Sequence, residues 1–354
     1  MLNYILRRMA LLPVLLFGVT LLIFSMLQFL SPVERASLYV RDIPKNERAI
    51  DGLIKRYDLD APIPIQYWRW LVGKVDSVTG EVKGGILRGN FGYSRTSNMF
   101  VVDIVRQRFP ATLELTLWAA LPIVLGGVWL GVLSAVNHNK PIDQVARIFS
   151  ILGYSLPIFV FGLVVLMIFY ANLRWFPPGR LSDAMTQVVL NPAFHRYTTM
   201  NTLDALLNGR LDVFLDSLRH IILPVVTLSY FSWAVLVRVT RSSMLESLRQ
   251  DYVTTARAKG LRERDVIGRH ARPNALIPVA TVGGLQVLTL LSGVIITETV
   301  FDYPGIGQAA AAASVQLDVI AVLGLTLFNA VVLVLVNLVV DITYAFIDPR
   351  IRLD

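Results

Sequence analysis

Residues 238–278 read RVTRSSMLESLRQDYVTTARAKGLRERDVIGRHARPNALIP, and strongly apolar segments abut both ends. The cations Arg238, Arg241, Arg249, Arg257, Lys259, Arg262, Arg264, Arg269 and Arg272 outnumber the anions Glu246, Asp251, Glu263 and Asp265. Within this interval the spacing predicts a short helix over 251–259. Asp251 stands near its start and Arg257 and Lys259 in its last turn, which suits the helix dipole. Tyr252, Val253 and Ala256 share one side at i, i+3, i+4 spacing. Gly260 is the expected stop, a residue free to take positive φ just past a helix end.

Outward from this loop, the chain is too apolar for a soluble domain of its size. Of its 354 residues 55% are hydrophobic and 16% charged, and the mean hydropathy is +0.58. That composition belongs to a polytopic membrane protein. The net charge of +8 then reports loop topology before it reports nucleic acid. No basic patch interleaved with aromatics supports a nucleic-acid partner. Cysteine is absent, which excludes disulfides, thiolate catalysis and Cys-based zinc sites. The four histidines (His138, His195, His220, His270) are scattered and make no H-E-x-x-H pattern, so no metal and no catalytic site is expected. There is no G-x-x-x-x-G-K-[ST] to cradle a nucleotide.

Runs of about 20 uncharged residues mark bilayer crossings. Residues 1–33 hold the first, Met9 to Val33 behind Arg7 and Arg8, and it is too long for a signal peptide. Residues 34–110 form a hydrophilic outer segment with helical pieces at Glu47–Tyr57 and Ile65–Leu71. It is either a spacer or a docking surface, and Trp68 and Trp70 mark a membrane interface or that surface. Five further spans are expected at about 115–137, 148–173, 221–240, 275–297 and 319–340, within a core of 111–348. An outer insert of 174–220 has no assigned role, and its Leu203–Leu218 stretch reads as helical but weakened by Gly209. Residues 241–273 are the cytoplasmic loop, and 349–354 a cytoplasmic tail. Gly283-Gly284 is the expected place of close helix approach. The fold class is therefore all-α, an integral membrane protein of six helices with a large outer segment after the first. Both termini lie inside, and the basic 238–272 interval faces in.

Two carboxylates at span ends, Glu114 and Glu298, are candidate pathway residues; Glu114 could equally be paired with Arg106 or Arg108. Gly305-Ile306-Gly307-Gln308-Ala309-Ala310 fits a G-x-G-x-x-A dinucleotide pattern, but that pattern carries meaning only after a β-strand. Here a membrane span and a Tyr-Pro turn precede it.

The string TTARAKG, followed by nine residues and HARP, resembles the cytoplasmic loop of binding-protein-dependent ABC importer permeases, E-A-A-x-x-x-G-x9-I-x-L-P. Thr254, Thr255 and Ala256 stand in the E-A-A positions, His270 in the Ile, Arg272 in the Leu and Pro273 in the Pro position. Ala256, Gly260 and Pro273 match literally. The fuller string RQDYVTTARAKGLRERDVIGRHARPNALIP is closer to the B-type permease of dipeptide and oligopeptide importers. The same branch is resembled by YDLDAPIPIQYWRWL, GNFGYS, RHIILPVVTLSY and FDYPGIG. The resemblance implies that the short helix couples the spans to a partner ATPase through Asp251, Tyr252, Thr254, Thr255, Ala256, Arg257, Ala258, Lys259, Gly260 and Leu261. It also implies a second, C-type permease subunit, two ATP-binding subunits and an extracytoplasmic peptide-binding protein, all around a chain embedded in membrane lipid. No cofactor is expected in this chain; ATP and Mg belong to the partner ATPases. The location implied is the bacterial or archaeal cell membrane, the inner membrane where there are two. The same architecture with another cargo (nickel chelates, oligosaccharides, glutathione) stays open. An ion-coupled secondary transporter would need carboxylates near mid-membrane, and a membrane enzyme a nucleophile–base set in the spans.

Overall fold

Apolar runs longer than a bilayer is thick become helices because a backbone in hydrocarbon must satisfy its own hydrogen bonds. In the computed structural model, which describes residues 2–36, 46–75, 82–291 and 294–347, five helices are long and apolar enough to cross a membrane. A sixth crossing is present if a bent pair counts as one. The expected tail at 349–354 lies outside the described residues. The chain divides into two compact units, Met1–Pro110 with Gly305–Leu338 and Ala111–Pro304 with Val339–Asp354.

In the first unit the helix Leu2–Leu27 packs Ile23, Phe24 and Leu27 on Trp70, Ile320 and Leu327. It ends six residues before the expected Val33, and a separate short helix covers Pro32–Ala36. The described residues of 34–110 hold, after Pro32–Ala36, the helices Glu47–Arg56 and Ile63–Val72, then two small antiparallel hairpins, Lys74–Val75 on Val82–Lys83 and Tyr93–Ser94 on Met99–Phe100. The two tryptophans part company. Trp68 is 62% exposed, whereas Trp70 is 6% exposed, its ring 5.6 Å from that of Phe24. Trp70 is therefore core, because the helix turns it toward the first span.

The last span, Val319–Ile347, starts on a built cap. Asp318 accepts from the Ala321 N–H at 3.1 Å through Oδ1, and from Ser94 Oγ (2.7 Å) and the Thr96 N–H (3.0 Å) through Oδ2. A carboxylate in this place satisfies an orphan donor of the first turn and fixes the hairpin to the helix start.

The helix Val101–Val136 begins 14 residues before the expected 115, so residues 101–110 are helix and not outer loop. In the second unit its later part lies along Leu211–Leu248. Ala111, Leu115, Ala119 and Ile123 meet Ile221, Leu228 and Leu236 in one core, joined by Val279 and Leu290. Close approach occurs at Gly127 and Gly131, a G-x-x-x-G pair. A Cβ on Gly127 would stand 2.7 Å from Leu236 Cβ, and one on Gly131 would overlap the Thr240 side chain. Gly283, the expected contact point, has only ordinary neighbours, Leu236 Cδ2 at 3.7 Å and Val124 Cγ2 at 3.9 Å.

Three more expectations need correction. The span predicted at 148–173 is broken: Pro141–Ser155 and Ile158–Asn172 meet at 104°. The break falls at Leu156, extended at φ −89°, ψ 126°, because the proline that follows disfavours α geometry there and supplies no N–H. The span predicted at 221–240 is part of the 38-residue helix Leu211–Leu248, about 57 Å long at 1.5 Å per residue. The span predicted at 275–297 ends at Leu291, and Ile295–Val300 is a separate short helix.

The 174–220 insert is not loose. Gly209, at φ 65°, separates the helix Asn201–Leu207 from Leu211–Leu248, so Leu203–Leu218 is not one helix. Val189, Phe194, Ala205 and Val213 make a small core of their own. Asp204 holds the preceding turn by accepting from the N–H groups of Thr198 (2.9 Å) and Thr199 (2.8 Å).

Candidate functional site: the Asp251–Leu261 element

The short helix runs Asp251–Ala258, and its end is built as the sequence suggests. Gly260 sits at φ 77°. Its N–H donates to Arg257 O at 2.9 Å, and the Leu261 N–H reaches back to Ala256 O at 3.4 Å. These are the two bonds of a Schellman stop, which a left-handed glycine makes available. Nothing lies within 4 Å of a Cβ added to Gly260.

Val253, fully buried, and Ala256, 5% exposed, face inward. They join Ala135, Met244, Val266, Ala271 and Ala275 in one cluster. The short helix is thus seated on the ends of three long helices. Asp251, Tyr252, Thr254, Thr255, Arg257, Ala258, Lys259, Gly260 and Leu261 are exposed and form the outward face. A second anchor is polar: Ser247 Oγ donates to Ala271 O at 2.9 Å and shares a 2.7 Å hydrogen bond with the Tyr252 hydroxyl. The spacing grouped Tyr252 with Val253 and Ala256 on one side, but its ring is exposed and only its hydroxyl reaches Ser247. The residues after it switch to a π-turn at Val266–Ala271 just ahead of Pro273, which has no N–H to continue an ordinary ladder.

The cations on the outward face differ in state. Arg257 makes a two-point contact with Glu263, Nε to Oε2 at 3.1 Å and Nη2 to Oε1 at 2.7 Å. Lys259 has no carboxylate within ion-pairing distance among the described residues. Both Arg257 and Glu263 are about half exposed, so the pair contributes at most about 1 kcal/mol. Its effect is geometric: it ties the helix end to the turn that follows.

Behind this element lies a pair that sequence reasoning missed. Asp143, fully buried, accepts from Arg241 Nε (2.7 Å) and Nη2 (2.8 Å), from Ser134 Oγ (2.6 Å) and from the Asn139 N–H (3.0 Å). One carboxylate therefore holds the 137–140 turn against the Leu211–Leu248 helix.

The candidate pathway carboxylates stand elsewhere in the same unit. Glu114 is 2% exposed and takes four hydrogen bonds. Oε1 accepts from Thr202 N (2.6 Å) and Oγ1 (2.8 Å); Oε2 accepts from Arg180 Nη2 (2.5 Å) and Tyr303 Oη (3.1 Å). Its ionic partner is Arg180 and not Arg106 or Arg108. Arg106 turns outward beside Asp103 at 3.7 Å, and Arg108 reaches Gln308 at 3.4 Å. Burial pushes the Tyr303 phenol well above its usual range, so it stays a neutral donor. Glu298 is fully buried and accepts from Thr112 Oγ1 at 2.7 Å. These two carboxylates are not brought onto the Asp251–Leu261 element. The G-x-G-x-x-A match opens the helix Ile306–Val315 from the turn at 301–305, and the element before that turn is the helix Ile295–Val300 and not a strand.

Several long apolar helices, one of them tied to the helix Pro141–Ser155 by the Asp143–Arg241 pair, with an exposed helical element seated on their ends, define a multi-pass membrane protein. The chain belongs to the family described as binding-protein-dependent transport system inner membrane component, which residues 127–353 match, while residues 1–116 match that family's N-terminal component. It is 39% identical to the di/tripeptide transport system permease protein DppB of Pseudomonas aeruginosa, over 99% of both chains. It is 37% identical to the dipeptide transport system permease protein DppB of Escherichia coli K12, again over 99% of both. The oligopeptide transport system permease protein AppB of Bacillus subtilis is 33% identical over 99% of both.

Proposed function

We propose that this chain is the membrane-embedded permease subunit of a peptide importer, lining half of the pathway and driven by ATP hydrolysis in partner subunits. The observation that carries this reading is the Asp251–Leu261 element. It has an inward apolar side locked to three helices by Val253 and Ala256 and a polar outward side. A push on such an element moves the helix ends together, a route by which a small interface movement becomes rigid-body rocking. The sequence has no phosphate-cradling loop of its own, so ATP and Mg are assigned to two ATP-binding partners. A second permease completes the pathway, and an outer binding protein delivers the peptide. Peptide cargo is supported by relatives whose names specify dipeptides and oligopeptides.

Taking the bent pair as one crossing gives an even number of spans, which supports a reading with both termini on the same side. The basic interval 238–272 then faces the cytoplasm, since cations concentrate in inward loops. The test is to purify the full chain with its native partners and reconstitute it with the binding protein. Uptake of dipeptides that requires ATP inside the vesicles is expected. Uptake by the lone chain driven by an ion gradient would replace this reading with a secondary transporter.

A further inference from the structure

Between the helices Pro141–Ser155 and Leu211–Leu248 lies a cavity of about 420 Å³ that the transport reading does not use. Arg147, Arg238 and Arg241 supply its charge, and Ile151, Tyr154 and Val237 much of its apolar wall. Only one of the three cations is neutralised, Arg241 by Asp143. Arg147 and Arg238 are exposed, and no carboxylate lies within ion-pairing distance of either among the described residues. Arg238 rests over the Tyr154 ring, 5.8 Å from its centroid. The cavity is thus a net cationic recess on an apolar wall, and Ile151 and Tyr154 are themselves 61% and 69% exposed.

Its depth is set by the sequence. Residues 221–237 carry no charge, and 17 residues of helix rise about 25 Å, close to a hydrocarbon core of about 30 Å. Arg238 is the first charge after that run. Arg147 lines the same cavity, and residues 148–155 that follow it in its own helix carry no charge. Two elements far apart in sequence therefore place an uncompensated guanidinium at a membrane boundary, around one cavity. Guanidinium groups match phosphate geometrically. Basic pockets between spans at such a boundary select anionic headgroups, while exposed apolar side chains accept acyl chains.

We propose that this cavity is a binding site for one anionic phospholipid, its phosphate between Arg147 and Arg238 and its first acyl carbons along Ile151 and Tyr154. The proposal requires only that these helices sit in a bilayer, and is independent of cargo and ATPase coupling.

The test uses the full chain, purified with the subunits that accompany it, in native mass spectrometry with phosphatidylglycerol or phosphatidylcholine. Each basic residue at an anionic membrane surface contributes about fivefold in affinity. The wild type should prefer phosphatidylglycerol by about 25-fold, and the double variant Arg147→Gln/Arg238→Gln should lose that preference. Arg238→Lys, which keeps the charge, should retain most of it, and guards against reading misfolding as lost binding. Arg264→Gln, an exposed loop cation outside the cavity, should match the wild type. Equal binding of the two lipids by the wild type would overturn the proposal, as would an equal loss in Arg264→Gln. Displacement of the lipid by millimolar inorganic phosphate would assign the cavity to a free anion, and displacement by dialanine to cargo; either result refutes a lipid site.

Discussion

Replacing Gly260 by valine tests the helix stop without touching a membrane span. The residue sits at φ 77°, where a side chain on Cβ costs about 1–2 kcal/mol. Since no atom lies within 4 Å of an added Cβ, that backbone penalty is the whole direct effect. A shift of this size changes the balance between closed and opened helix end by about 5–30-fold. The bonds released are those from Gly260 N and Leu261 N, after which Lys259 and Leu261 no longer hold their places. The packing of Val253 and Ala256 remains, so insertion and folding should be normal. The assay is ATPase activity stimulated by loaded binding protein, alongside uptake, in proteoliposomes of the assembled complex. Gly260→Val should lower both several-fold, whereas Gly260→Asn, a residue that tolerates left-handed geometry, should recover most of the loss. Wild-type values for Gly260→Val in a fully assembled complex would refute the reasoning.

Asp143→Ala leaves Arg241 without its counter-charge and should destabilise the protein by about 3 kcal/mol or more; thermal unfolding in detergent measures this, and the double variant Asp143→Ala/Arg241→Met should be less affected than the single. Gly131→Val forces the Val101–Val136 and Leu211–Leu248 helices apart at Thr240 and should cost about 1–3 kcal/mol, read as a lower unfolding temperature. Burial pushes the Asp318 carboxyl up, but the Thr96 and Ala321 N–H groups and the Ser94 hydroxyl outweigh it and hold its pKa below the ordinary carboxylate value. Asp318 therefore stabilises the fold above its unfolded pKa of about 3.9 and loses that contribution as the pH falls through its lower folded value. Asp318→Asn should lower the unfolding temperature at pH 7 and converge with wild type in acid. For topology, Arg196→Cys should react with an impermeant maleimide from outside intact cells and Ser243→Cys should not. Arg196 is exposed, in contrast to nearby Thr198, whose hydroxyl is held by Asp204.

Features that depend on a few neighbouring residues were readable in advance. The Gly260 stop follows from one glycine after a polar helical run, and the shared side of Val253 and Ala256 from i, i+3 spacing. Partners distant in the chain were not. Asp143 and Arg241 are 98 residues apart, and Glu114 and Arg180 are 66 apart. No local pattern distinguishes Arg180 from Arg106 as the partner of Glu114, since helix rotation decides it. Pro157 carried a readable signal for a break, but hydropathy alone treats 148–173 as one uninterrupted run. Gly127 and Gly131 also had the right spacing, yet only the facing helix shows that this pair, and not Gly283, is the contact.

The central claim is that the outward face of Asp251–Leu261 meets a partner ATPase. Because the sequence contains no cysteine, a single Thr255→Cys can be coupled to a short bifunctional cross-linker in the assembled complex. The account predicts a cross-link from Thr255→Cys to an ATP-binding subunit whose yield changes between nucleotide-free and ATP-bound states. A complex that transports normally, with Thr255→Cys modified freely by bulky maleimides and never joined to an ATPase, would contradict it.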